Sequence, residues 1–155
     1  MTRAARFLGC CCLLAALCGC ASVPQASPEH DAEAKRFLTH PGVSTLYVYR
    51  GDAPGGIEAE DSVLYVNGRL IGSTLPGTYF RIELRPGEQL LHGYAHDQGR
   101  IKVTTPASEI TFVSLSVVAG TSHFGIVDPE AGKRAIARCC VLMENWTPGQ
   151  RPLLR

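Results

Sequence analysis

Residues 78–85 read TYFRIELR, and this octet decides the fold. Phe80, Ile82 and Leu84 alternate with Arg81 and Glu83, so an extended chain puts the apolar side chains on one face and the charges on the other. That is the pattern of a half-buried antiparallel strand. Upstream, Ser62–Asn67 (SVLYVN) and Arg69–Gly72 (RLIG) meet at Asn67-Gly68, a pair suited to the type I′ hairpin turn because both central residues need positive φ. Pro76-Gly77 and Pro86-Gly87-Glu88 turn the chain on either side of the octet. Thr45–Arg50 (TLYVYR), Gln89–Ala95, Arg100–Thr105 and Ile110–Ala119 (ITFVSLSVVA) bring the expected total to about seven short strands. The last carries Ile110, Phe112 and Val118 on one face and Val113, Leu115 and Val117 on the other, as a central strand requires. No long helical pattern separates any two strands, so a parallel βαβ sheet is not expected. The spacing predicts an antiparallel β-sandwich or small barrel, mainly β.

One amphipathic helix closes the domain. Asp128 suits its cap, Pro129 its first position, and Glu130 opposes the positive end of its dipole. At about 100° per residue, Ala135, Ile136, Cys139, Cys140 and Met143 share one half-circle with Ala131, and Lys133, Arg134, Ala137 and Arg138 take the other. Residues 28–38 also permit a short N-terminal helix, which His40-Pro41-Gly42 would end, since the residue before proline avoids the α region.

The first nineteen residues, MTRAARFLGCCCLLAALCG, have a different character. Arg3 and Arg6 precede an apolar run, Phe7–Leu17, which at 1.5 Å per residue crosses about half of a ~30 Å hydrocarbon core. It is a secretory signal by length rather than a membrane span. Leu17-Cys18-Gly19-Cys20 resembles the bacterial lipobox: an apolar residue, two small ones, then the cysteine whose thiol takes a diacylglyceryl group. Cys20 is therefore the expected lipid attachment and first mature residue. More than one acyl chain, at ~0.8 kcal/mol per buried methylene, makes a stable anchor. Ala21 stands where aspartate tends to retain Gram-negative lipoproteins in the inner membrane, so the expected location is the outer membrane, facing the periplasm. The expected division is a signal peptide at 1–19, lipidated cysteine and tether at 20–43, a sandwich domain with its helix at 44–146, and a loose tail at 147–155. A flexible 21–43 would reach roughly 25 Å, at ~5–6 Å × √n.

Without residues 1–19, thirteen Lys and Arg face fourteen Asp and Glu. That balance gives no electrostatic case for a nucleic-acid partner. The remaining 136 residues amount to one ordinary domain, which excludes a multidomain enzyme.

The order TLYVYR, VLYVNGRLIG, GTYFRIELRPGEQLL and VDPEAGKRAI resembles the bacterial lipoprotein family called domain of unknown function 2846, akin in style to PEGA-type β-sandwich repeats. The resemblance covers about residues 35–140. Asn67 stands where that family often has aspartate, which a I′ turn accepts equally. The resemblance implies a periplasmic sandwich on a lipid anchor. It implies no activity, and so carries over no catalytic residues.

Chemistry-bearing residues are sparse. His92 and His96 would sit ~13 Å apart along a strand, too far to share one ion, and with His123 they read best as scattered surface histidines. No metal or other cofactor is expected beyond the lipid on Cys20. Ser122, His123 and Asp128 supply hydrolase residue types, but GTSHFG is not a nucleophile elbow, and adjacent Ser and His cannot readily face each other. Cys139 and Cys140 are read first as two buried thiols and second as a disulfide, within the pair or to a partner, in an oxidising periplasm. Tyr47 and Tyr49 share a strand face and are the candidate partner-binding residues if Leu46 and Val48 fill the core; core packing of the tyrosines is the simpler alternative. The expectation is a non-enzymatic outer-membrane lipoprotein binding a protein or envelope polymer. A subunit of an envelope assembly docking by a sheet edge is the alternative, followed by a periplasmic hydrolase using Ser122 or a thiol enzyme using Cys139.

Overall fold

The computed structural model describes residues 25–52, 62–93 and 99–145. Among them the chain forms helix α1 (Pro28–Ala34), strands β1 (Ser44–Arg50), β2 (Ser62–Val66), β3 (Arg69–Thr74), β4 (Thr78–Leu84), β5 (Gly87–His92), β6 (Arg100–Thr105), β7 (Ile110–Val118) and β8 (Thr121–Val127), helix α2 (Pro129–Cys139), and a short β9 (Val141–Leu142). The protein is mainly β, with two sheets and a C-terminal helix. One sheet runs β8-β7-β1-β4-β9 and the other β3-β2-β5-β6.

The alternation in 78–85 has the expected consequence. Phe80, Ile82 and Leu84 join Leu46, Val48, Leu64, Val66, Leu91, Val103, Val113 and Leu115 in a core between the sheets. Burying one such side chain stabilises the fold by roughly 1.5–3 kcal/mol. Asn67 (φ 52°) and Gly68 (φ 74°) both adopt the left-handed region, as the I′ turn demands. Asn67 does more than turn. Its Nδ2 donates to Gln89 Oε1 at 2.7 Å, and its Oδ1 accepts from Leu90 N at 2.8 Å, tying the β2–β3 hairpin to β5. Aspartate could not make the first of these bonds, so the two residues are not equivalent here.

Two strands exceed the expected seven. β8 follows β7 through Ala119-Gly120, both at positive φ (49° and 73°), the same hairpin geometry as Asn67-Gly68 without its asparagine. β9 forms because α2 stops at Cys139 and Cys140 turns to an extended conformation. Met143 is therefore not on the helix; it pairs with Gln25 and joins the core between the sheets. The five-stranded sheet is mixed rather than wholly antiparallel. β1 runs parallel to β7, and β4 parallel to β9. Neither pair is a βαβ unit: strands of the second sheet intervene between β1 and β7.

The other face of this sheet is also covered. Tyr47, Tyr79 and Phe112 form a second cluster with Ala34 of α1, Ile136 of α2 and Cys140. β1 is thus buried on both faces, which explains six buried residues out of seven. α2 lies close because Gly132 has no side chain: a Cβ there would come within 2.5 Å of Phe112 Cγ. Asp128 caps it, accepting from Glu130 N and Ala131 N at 3.1 Å each.

Residues 25–43 are not an extended tether. Phe37 takes positive φ (51°) at the end of α1 and sets its ring 5.4 Å from Tyr47 and 5.8 Å from Phe112, centroid to centroid. The described part of this segment therefore packs on the sheet ahead of Ser44. Apolar and aromatic residues at 34 and 37 bury against the sheet, and that gain outweighs the ordering entropy of the segment.

A cleft over Arg81 between the first helix and the sheet

α1 is fastened to the sheet chiefly by one carboxylate. Asp31 Oδ1 accepts from the Tyr79 hydroxyl and from Leu142 N, each at 2.9 Å, while Oδ2 takes Lys35 Nζ at 2.7 Å. Burial alone would raise the Asp31 pKa, but the bonds from Lys35, Tyr79 and Leu142 outweigh it and hold the carboxyl below its ordinary 3.8. Tyr79 moves the other way, raised by burial and then by its bond to Asp31. Tyr47 donates to Ala34 O at 2.7 Å, and burial pushes its phenol up to about 12.

Beside this fastening lies a cleft of about 370 Å³. Ala26, His30, Glu33 and Ala34 form one wall, and Arg81, Leu142, Met143, Glu144 and Asn145 the other. Arg81 projects from β4, two residues past Tyr79 on the same sheet face. Its Nη2 donates to Glu83 Oε1 at 3.0 Å, and the same oxygen lies 3.1 Å from His40 Nδ1. Arg81 Nε is buried and has no acceptor. The cleft thus combines one guanidinium, two exposed carboxylates (Glu33 and Glu144), an imidazole, an amide and a short apolar floor. Such a set can hold a small polar ligand; none of its members is placed as a nucleophile beside a base.

The residues singled out in the sequence fare differently. Cys20 and His96 lie outside the described residues. Tyr47 is fully buried under the helices, so it offers no surface to a partner, and Tyr49 is half-buried against the same cluster. Core packing, the alternative weighed for both tyrosines, is the arrangement observed, because α1 and α2 cover this sheet face. Cys139 and Cys140 form a disulfide within the pair rather than two free thiols. Ser122 points inward, its Oγ 3.0 Å from Ser62 Oγ, whereas His123 points outward and is exposed, and Asp128 caps α2. The three hydrolase residue types do not converge. His92 stacks on Tyr65 (centroids 4.9 Å, interplanar 2°). Sequence reasoning missed the cleft. Its one signal was Arg81-Glu83 on a strand face taken as solvated, and the wall from α1 was not foreseeable from that alternation.

No family profile matches the chain, and no solved structure matches it. The chain is similar to a protein of Haemophilus influenzae described only as uncharacterized, 29% identical over 128 residues, which covers 79% of this chain and 75% of that protein.

Proposed function

We propose that this chain is an outer-membrane lipoprotein, anchored through lipid on Cys20 and facing the periplasm. Its small sandwich binds a protein or an envelope polymer and catalyses no reaction. The observation that carries this reading is the leader: a basic start, eleven apolar residues and Leu17-Cys18-Gly19-Cys20. A bacterial relative is in keeping with it. The separation of Ser122 from His123 removes support from the hydrolase alternative, and the Cys139–Cys140 bond removes support from a free-thiol nucleophile. The lack of aspartate at residue 21 favours the outer membrane over the inner.

The test is Cys20→Ser with membrane fractionation and mass analysis of the N-terminal peptide. The anchored reading expects acyl mass on Cys20 of the natural chain, and a variant that accumulates unprocessed or leaves the outer-membrane fraction. An unmodified Cys20, or a variant fractionating as before, would refute it. In-cell crosslinking followed by purification then identifies the partner.

A further inference from the structure

The charges lining the cleft specify what could fill it. Arg81 is cationic, Glu33 and Glu144 are anionic, and a complementary ligand needs both an acceptor for the guanidinium and a donor for the carboxylates. A simple anion would meet two like charges. A simple cation would meet the Arg81 guanidinium as a like charge. A zwitterion satisfies both. Ala34, Leu142 and Met143 add a small apolar share to the same lining, which a short hydrocarbon link can meet. At about 370 Å³ the space is at the small end of ligand sites, suited to a headgroup and not to a whole lipid.

Location narrows the source. Met143 lines the cleft and pairs with Gln25, and Ala26 lines it too. From Gln25 back to Cys20 is five residue steps, which span at most about 18 Å even when fully extended. If Cys20 carries the lipid, the cleft is held close to the membrane surface.

We propose that the cleft over Arg81 binds the zwitterionic headgroup of phosphatidylethanolamine, with the phosphate against Arg81 and the ammonium against Glu33 and Glu144. This deepens the lipoprotein reading and rests on it for the nearness of the membrane. A choline headgroup is the discriminating competitor: it has the same charges, but its methylated nitrogen has no N–H to donate to a carboxylate.

The experiment is native mass spectrometry of the full-length lipidated protein, released from neutral detergent in an equimolar mixture of phosphatidylethanolamine and phosphatidylcholine. The expected result is one lipid adduct, with ethanolamine favoured about tenfold or more, in line with loss of a charge-assisted hydrogen bond. Arg81→Gln should lose the adduct. Because that variant alters a partly buried ion pair, Glu33→Gln with Glu144→Gln, both at exposed positions, provides the second arm: the adduct should persist with ethanolamine and choline bound alike. No adduct, equal binding of the two lipids by the natural chain, or displacement of the adduct by equimolar inorganic phosphate would each overturn the proposal. The same spectra report the mass on Cys20. Ethanolamine selectivity without acylation discards the anchor and keeps the site, whereas acylation without selectivity discards the site and keeps the anchor.

Discussion

In an ordinary helix, Gly132→Ala should stabilise. Alanine gains about 1 kcal/mol over glycine in a helix interior. Here the sign should reverse. The new Cβ would lie 2.5 Å from Phe112 Cγ, 2.6 Å from Cδ1 and 2.7 Å from Cβ, where ordinary contact begins near 3.4 Å. Helix and ring must therefore part by roughly 1 Å, well beyond the soft part of the van der Waals well. Phe112 has nowhere to go: it is 1% exposed, and its ring sits 5.3 Å from Tyr47 and 5.8 Å from Phe37. Overpacking of this kind costs typically about 1–3 kcal/mol, and an overlap with three ring and stem atoms belongs near the upper end. Subtracting the helix gain leaves a net loss of about 1–2 kcal/mol, or roughly 4–8 °C in Tm for a domain of this size.

Thermal and urea unfolding would measure it, with Ala137→Gly on the exposed face of α2 as a control that should lose about 1 kcal/mol through propensity alone. Phe112→Ala removes Cγ and Cδ1, the two nearest of the offending atoms, so the double variant Gly132→Ala/Phe112→Ala should be more stable than the two single changes predict, with a coupling of about 1 kcal/mol or more. A rise in Tm for Gly132→Ala, or strict additivity in the double variant, would mean that α2 does not rest on Phe112 and that the layered arrangement of the outer cluster is wrong.

Three further outcomes can be checked on the same protein. Asp31→Ala removes the acceptor of Tyr79, Leu142 and Lys35 and should cost about 1–3 kcal/mol by urea unfolding; because the folded carboxyl is held below 3.8, the natural chain keeps this contribution above that pH and loses it as pH falls through the folded value, so the difference between the two should shrink in acid. Asn67→Asp keeps the turn but sets a carboxylate against Gln89 Oε1, and a loss of about 1–2 kcal/mol is expected, whereas unchanged stability would show that the turn alone matters. Tyr47→Phe deletes the bond to Ala34 O at a cost of about 1 kcal/mol; in the natural chain the phenol pKa rises from 10 to about 12, so its contribution is complete below pH 10 and disappears as pH climbs through about 12, and ultraviolet titration of the variant should show one late-ionising phenol fewer, with that of Tyr79 remaining.

The strands most readily read from sequence are those whose two faces differ in polarity. In β4 the period-two pattern reports the core directly, since Arg81 and Glu83 stand opposite Phe80, Ile82 and Leu84. The apolar residues on both faces of β7 correctly indicate a central strand, flanked by β8 and β1. Asp128 and Pro129 mark the start of α2 because capping is local. What was illegible depends on partners distant in sequence. Tyr47 and Tyr49 can be read as a surface pair or as core, and it is the two helices from opposite ends of the chain, laid over them, that decide for the core. β8, with Gly125 and polar Ser122 and His123, has a weak strand signal of its own and is held by seven paired positions on β7. Parallel pairing of β1 with β7 follows from topology, which no local pattern encodes. The state of Cys139 and Cys140 depends on where the helix ends, and a periodicity that continued in phase to Met143 concealed that end.

Docking of α1 links the cleft to the reach of the domain. The wall formed by His30, Glu33 and Ala34 exists only while α1 is fastened by Asp31, Tyr47, Tyr79 and Phe37. The same fastening shortens the segment between Cys20 and the first sheet contact from one ending at Ser44 to one ending at Gln25. With the helix released, the chain from Cys20 to Ser44 would be a flexible coil of roughly 25 Å root-mean-square span, free to turn the sandwich in any direction. With it docked, five residue steps of at most about 18 Å join Cys20, the proposed anchor point, to the cleft's own rim. A short connection attached at one edge restricts orientation as well as distance and raises the effective concentration of the cleft at any surface to which Cys20 is fixed. Asp31 is therefore a structural residue whose loss would act on the proposed headgroup binding twice, by removing a wall of the cleft and by letting the cleft drift from the surface to which Cys20 is proposed to be fixed.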